Sequence, residues 1–360
     1  MRLPRPLHQL LVCALIGLAA TALPAQQPVP PANDAAVRAA LDQLRIDNAW
    51  TLDQQASICE IPAPPFAEER RAAEMKRRFE SLGLRNVRLD SIGNVIAERP
   101  GTGGGPTIVF SAHLDTVFPE STDVRVRREG TLFRGPGIGD DCRGLAVILA
   151  VARAMREANV QTRGTILFVA NVGEEGQGNL RGVKHLFARP PAKIDYFVAV
   201  DGTGLGLTSR AVGSNRYRVS YQGPGGHSYG AFGMPSPIHA LGRAIAKIST
   251  FQVPREPKTT FNVGIISGGT SVNTISPVGT MEMDLRSESP QELAKLDAMF
   301  KRAIDEALAE ENARWPDSRV KITVAVEDMG VRPAAAPPDS ALIVRAAQAA
   351  ARALGFQAPT

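Results

Sequence analysis

Between Val87 and Asp201, short apolar runs alternate with amphipathic stretches. The runs NVIAE, PTIVFSA, GTILFVANV and IDYFVAVD are strand-length, whereas RGLAVILAVARAMREA places Leu145, Ile148, Leu149, Ala152 and Met155 on one helical face. An unbroken apolar run such as TILFVAN suits a strand covered on both faces, as in a parallel sheet. The alternation therefore predicts an α/β fold: a mostly parallel sheet with helices on both faces.

Most of these runs end at a residue able to bind a metal. In chain order they are His113 and Asp115 in SAHLDTV, Asp140 and Asp141 in GIGDDCRG, Glu174 and Glu175 in NVGEEGQG, and Asp201 in AVDG. Divalent cations take imidazole nitrogen and carboxylate oxygen on a rigid frame, and the carboxyl ends of parallel strands supply one. His113 and Asp115 stand two apart and project to one side of an extended segment, where a carboxylate can orient a metal-bound imidazole through its other nitrogen. Taken alone, such a pair is more often a surface turn than a metal site. Asp140 and Asp141 precede a helix starting near Arg143, so one carboxylate is expected on metal and its neighbour at the helix cap. Glu174 and Glu175 side by side at a buried strand end repel each other unless a cation lies between them; a solvated loop is the alternative. The series implies metal-dependent hydrolysis.

The 360-residue chain is 44% hydrophobic, enough for two domains. Arg2, Arg5, an apolar stretch from Leu10 to Leu23 and small residues up to Ala25 form a signal-peptide pattern over residues 1–25. Export to a periplasmic or extracellular location is expected, because about 14 apolar residues fall short of the ~20 that span a bilayer. Residues 26–35 read as a linker and are followed by a helical region to about Leu82. Beyond the leader only Cys59 and Cys142 remain; they could pair in an oxidising compartment but are too few for a disulfide framework, and free buried thiols are expected. The net charge of +5 is scattered rather than grouped with aromatics, which argues against nucleic acid as a partner; none is expected, nor a membrane after leader cleavage.

At about Gly213 the pattern changes. SNRYRVSYQ and SPVGTMEMDLRSE alternate as half-exposed strands do, while PSPIHALGRAIAKIS and SPQELAKLDAMFKRAIDEALAEE are amphipathic. The order strand, helix, strand, strand, helix, strand, running through RVKITVAVED, suggests an inserted α+β domain of split βαβ type. Its bounds are set at 213–322, with 36–212 and 323–360 forming the catalytic domain and a helix expected from Ser340 to Leu354.

SAHLDTV, GIGDDCRG, GEEG, VDG, GGHS and GGTSVNTI together resemble the di-zinc exopeptidases that include peptidase T, carboxypeptidase G and aminoacylase. The resemblance implies that His113 and Asp201 bind one zinc, Asp140 bridges two and Glu175 binds the second. Glu174 would be the general base, Asp115 the orienter of His113, and the peptide bond after Asp140 would be cis. In the inserted lid or dimerisation domain His227 would contact the oxyanion, often from a partner subunit of a homodimer, and Asn273 and Arg286 would contact substrate. Arg286 is by its own chemistry a candidate clamp for a carboxylate, although a solvated strand-end charge reads the same way. Cys142 stands where the family more often has Lys. His185 and His239, lone histidines in helical segments, read as structural.

The family also has a zinc-binding histidine in a Gly-rich loop near its C terminus, whereas no histidine follows His239 here. The expectation is a truncated chain with the second zinc short of one ligand. The function expected is zinc-dependent hydrolysis of amide bonds in short peptides. The alternatives are an N-acyl-amino-acid amidohydrolase of the same family and a catalytically weak fragment that acts as a binding or dimerising module.

Overall fold

A computed structural model of the chain describes residues 34–204, 206–338 and 340–357. The leader and most of the expected linker lie outside the described residues. Helices α1 (Ala35–Ile46), α2 (Asn48–Cys59) and α3 (Glu69–Ser81) come first, with Asp34 capping α1 by accepting from the amides of Ala36 and Val37. The first sheet holds β1 (Arg85–Leu89), β2 (Val95–Arg99) and β3 (Ile108–His113). A small ribbon of β4 (Arg127–Glu129) and β5 (Leu132–Arg134) precedes α4 (Cys142–Glu157). The sheet is completed by β6 (Ile166–Asn171), α5 (Arg181–Ala188) and β7 (Tyr196–Ala199).

The strand order is β1-β2-β6-β3-β7, and β6, β3 and β7 run parallel. β1 and β2 are antiparallel to their neighbours, so an antiparallel hairpin adjoins the expected parallel strands at one edge of the sheet. The cause is local: Asp90 Oδ1 accepts from the amides of Ile92 and Asn94, closing a tight turn that returns the chain as a hairpin. β6 is buried along its whole length, as its apolar run requires. One face of the sheet packs Phe168, Ala112 and Val95 against Ile58, Met75, Phe79, Leu145 and Leu149 from α2, α3 and α4. The other face packs Val109, Leu167 and Val169 against Leu186 of α5.

Packing of α2 on α4 brings their ends together, and Cys59 and Cys142 form a disulfide with Cα atoms 5.4 Å apart. The expectation of two free thiols is thereby corrected. As they stand 83 positions apart, neither cysteine carries a local sign of its partner.

The second domain is built on an antiparallel sheet ordered β10-β12-β8-β13. Its elements are β8 (Gly213–Gln222), β9 (Gly226–His227), α6 (Pro237–Ile248), β10 (Thr259–Gly268), β11 (Thr274–Ile275), β12 (Val278–Ser287), α7 (Pro290–Arg314) and β13 (Thr323–Arg332). Tyr217, Val219, Tyr221, Met281, Met283 and Leu285 pack under α6 and α7. Because β13 pairs with β8 along its length, the domain extends to Arg332, ten residues beyond the expected boundary at 322. The chain then returns through an isolated bridge between Ala211 and Ala335 to α8 (Leu342–Ala353). Among the described residues no helix is long and apolar enough to cross a membrane.

Candidate metal centre

Parallel strands put their carboxyl ends on one edge, so residues distant in sequence meet there. β3 ends at His113, β6 leads through Val172 and Gly173 to Glu174 and Glu175, and β7 leads to Asp201. Asp140 arrives on the turn before α4. Ligand atoms of His113, Glu174 and Glu175 lie within 4.8 Å of one another, as do those of His113, Asp140 and Asp201, so the imidazole is common to both groups.

His113 is buried, and its Nδ1 lies 2.9 Å from the backbone carbonyl of Asp115, which makes Nδ1–H the donor and turns Nε2 toward Asp140 Oδ1 at 2.9 Å. Asp115 therefore orients the ring chiefly through its backbone. Its carboxylate is 3.6 Å from Nδ1 and accepts instead from the amides of Glu174 and Glu175, at 2.9 and 2.8 Å. That fully buried side chain pins the two-glutamate turn to the end of β3.

Asp141 takes the cap position. Its Oδ1 accepts from the Gly144 amide and its Oδ2 from the His113 amide, each at 2.9 Å, which leaves the exposed Asp140 facing His113 and available for a ligand role. The Asp140–Asp141 peptide is cis, as the resemblance implies. The glycine in DDCRG is a steric requirement: a Cβ at Gly144 would lie 2.3 Å from the carbonyl oxygen of Val200.

The electrostatics fit a cation. Burial works against a charged His113, yet its hydrogen bonds to Asp115 and Asp140 and the charge of Asp141 outweigh that effect and push the imidazole up to about 11. Burial raises Glu175, reinforced by Asp140 and Glu174. It also raises Glu174, where His113 and Arg332 oppose the shift. One imidazole thus stands among several carboxylates, and a donor set of one imidazole with carboxylate oxygens suits a divalent metal.

The three residues expected to contact substrate are not brought together. His227 and Asn273 meet on a ribbon, where β9 pairs with β11 and the Ser228 amide donates to the Asn273 carbonyl. That ribbon adjoins the start of β12, whereas Arg286 is eight residues past Val278, roughly 27 Å along the strand. Arg286 instead shares a row across the sheet with Ser214 and Arg332, and its Nε donates to Asp284. His185 meets Ser91 and His239 is exposed near Glu311, both away from the centre.

Three groups carry the site without any motif to announce them. Arg71 is 1% exposed and donates to the carbonyls of Leu114, Ile61 and Cys59, holding the backbone between His113 and Asp115. Glu68 accepts from the Gly173 amide and pairs with Arg181. Arg332 reaches Glu174 from the second domain. In RRAAEMKRRF the burial of Arg71 is foreshadowed only by its place on the apolar face with Met75 and Arg78. Arg71→Met should leave three buried carbonyls without a donor and destabilise the fold by about 3–5 kcal/mol, read by urea denaturation. An unchanged midpoint would show that those carbonyls find other partners.

A cleft of 380 Å³ opens beside the cluster, lined by Val117, Phe118, Ile138, Thr203, Asp140 and Glu175 among others. A catalytic sheet covered by helices on both faces, a separate antiparallel domain, and acidic strand ends gathered around one histidine define a metallohydrolase. The sequence pattern of peptidase family M20/M25/M40 matches residues 109–360, and the chain belongs to that family. It is 28% identical over 283 residues to YqjE of Bacillus subtilis, covering 73% of each chain. It is 26% identical over 262 residues to carboxypeptidase G2 of Pseudomonas sp. strain RS-16, covering 69% of this chain and 60% of that enzyme. Aminopeptidase PepT of Bacillus cereus has the same fold, with a TM-score of 0.69, 24% identity and coverage of 86% and 83%.

Proposed function

We propose that this chain is an exported, zinc-dependent exopeptidase acting on short peptides. The observation that carries the reading is the Glu174–Glu175 turn, pinned by Asp115 so that both carboxylates face His113 beside an open cleft. His113, Asp140 and Asp201 would hold one zinc, and Glu175 a second with Asp140 between them. The bound metal supplies polarisation of the scissile carbonyl and a lowered pKa for the attacking water. Glu174 takes the proton from the attacking water and returns it to the leaving amine. Val117, Phe118 and Ile138 give the cleft an apolar wall on which a substrate side chain would pack. Export is supported by the leader pattern and by the Cys59–Cys142 disulfide, which suits an oxidising compartment.

The separation of His227 and Asn273 from Arg286 supports a homodimer. The ribbon at the far end of β12 would serve the partner's centre, while Arg286 serves its own. Tyr229, Phe232, Ile265, Ile266 and Val272 are exposed apolar residues at that same end, two of them on the edge strand β10. Ile266→Glu should yield monomers by analytical ultracentrifugation with greatly reduced turnover, whereas a dimeric or fully active variant would remove this part of the reading. The substrate class is tested by a panel of di- and tripeptides against N-acyl amino acids, with zinc added back to chelator-treated protein. Faster turnover of the N-acyl compounds would favour the amidohydrolase alternative.

A further inference from the structure

The turn bearing Glu174 is held from two domains. Within the catalytic domain, three consecutive amides are bound by buried carboxylates: that of Gly173 by Glu68 at 3.0 Å, and those of Glu174 and Glu175 by Asp115. The opposite, carbonyl side of the turn is bound from the second domain. Arg332, the last residue of β13, donates from Nη2 to the Glu174 carbonyl at 2.8 Å and places Nη1 3.4 Å from Glu174 Oε1.

The neighbours of Arg332 make the contact a docked edge rather than a stray side chain. Lys184 Nζ donates to the Val331 carbonyl at 2.8 Å, and Gly330 passes so near Asn179 that a Cβ there would lie 3.1 Å from its side chain. Residues 330, 331 and 332 thus each touch the segment from Glu174 to Lys184. Arg332 is itself placed by strand pairing to Ser214, in the row that also contains Arg286. A guanidinium with two donors on one residue's carbonyl and carboxylate fixes both the backbone and the side chain.

We propose that Arg332 is a positioning residue for Glu174, coupling the placement of the second domain to the orientation of the base. The inference rests on the reading of Glu174 as the base. A second domain that shifts away from this placement carries Arg332 with it and releases the turn on one side. Small misplacements of a reacting group cost large factors in rate, so the effect falls on turnover more than on substrate affinity.

The test uses the full chain with zinc and the dipeptide it hydrolyses fastest. Arg332→Ala is expected to lower kcat roughly 10- to 100-fold while KM stays within about threefold and zinc content is unchanged. Arg332→Lys should recover a large part of the loss. In the metal-free protein, amide hydrogen exchange at residues 173–176 should quicken in Arg332→Ala, a readout independent of activity and of what Glu174 does. If Arg332→Ala folds poorly, Arg332→Gln keeps an uncharged donor of shorter reach and is expected to fall between Lys and Ala. A kcat within about twofold of the parent with unchanged exchange overturns the proposal. So does a rise in KM alone, which makes Arg332 a substrate contact, or a parallel loss of zinc and melting temperature, which makes it structural. Full activity in Glu174→Gln would sink the base assignment instead, and the exchange data would still show whether Arg332 holds the turn.

Discussion

His113→Ala is expected to release the metal and lower turnover roughly 10³-fold or more, because one imidazole serves both groups of ligands. Losing a group that merely supports a ligand typically costs about 10- to 100-fold, and His113 is here proposed as the nitrogen donor itself. Its removal also takes away the positive charge that balances Asp140, Asp141 and Asp115 in the metal-free protein. The carboxylates left behind repel one another, so they spread or take up protons, and neither state rebuilds a site for a divalent ion. The effect is read by metal analysis after dialysis and by peptide hydrolysis at saturating zinc. Retention of both metal and activity would place the centre elsewhere. Partial rescue by high zinc, with an affinity weakened by orders of magnitude, is consistent with the remaining oxygen donors.

The strand-end residues were legible in the sequence because each is encoded locally: an apolar run of strand length followed at once by His, Asp or Glu. Parallel pairing of β3, β6 and β7 then does the assembly, and no long-range information is needed to see that their ends converge. Asp140 and Asp141 were legible for a similar reason, since a helix start prefers one carboxylate as its cap and leaves the other free. What stayed hidden depends on distant partners. Arg71 and Arg332 are ordinary basic residues until folding brings Leu114 to one and Glu174, 158 residues away, to the other. The two cysteines say nothing of each other until α2 packs on α4. The hairpin of β1 and β2 is a different case. The turn DSIGN carried the Asp, Asn and Gly that close it, and only the expectation of a parallel sheet obscured that signal. The last strand of the second domain was legible in RVKITVAVED but its end was not, because β13 alternates weakly, with exposed residues on both faces along most of its length.

Glu174→Gln separates base from ligand most sharply, and it is expected to lower kcat about 10²- to 10⁴-fold with metal content intact. Gln keeps the size of the side chain, and the backbone bonds of this residue to Asp115 and Arg332 do not involve the carboxylate, so the turn survives the change. What disappears is a proton acceptor. The amide cannot take a proton from water at neutral pH, whereas burial raises the proton affinity of the Glu174 carboxyl toward the range a shuttle needs. Glu175→Gln makes the comparison decisive, for its carboxylate faces Asp140 in the cleft and its loss should show first as weakened metal binding. Adjacent residues on one pinned turn would then fail in different ways, one in turnover and the other in metal affinity. If both variants lost metal equally, Glu174 would be a ligand, and the proton would have to be carried by another group in the cleft.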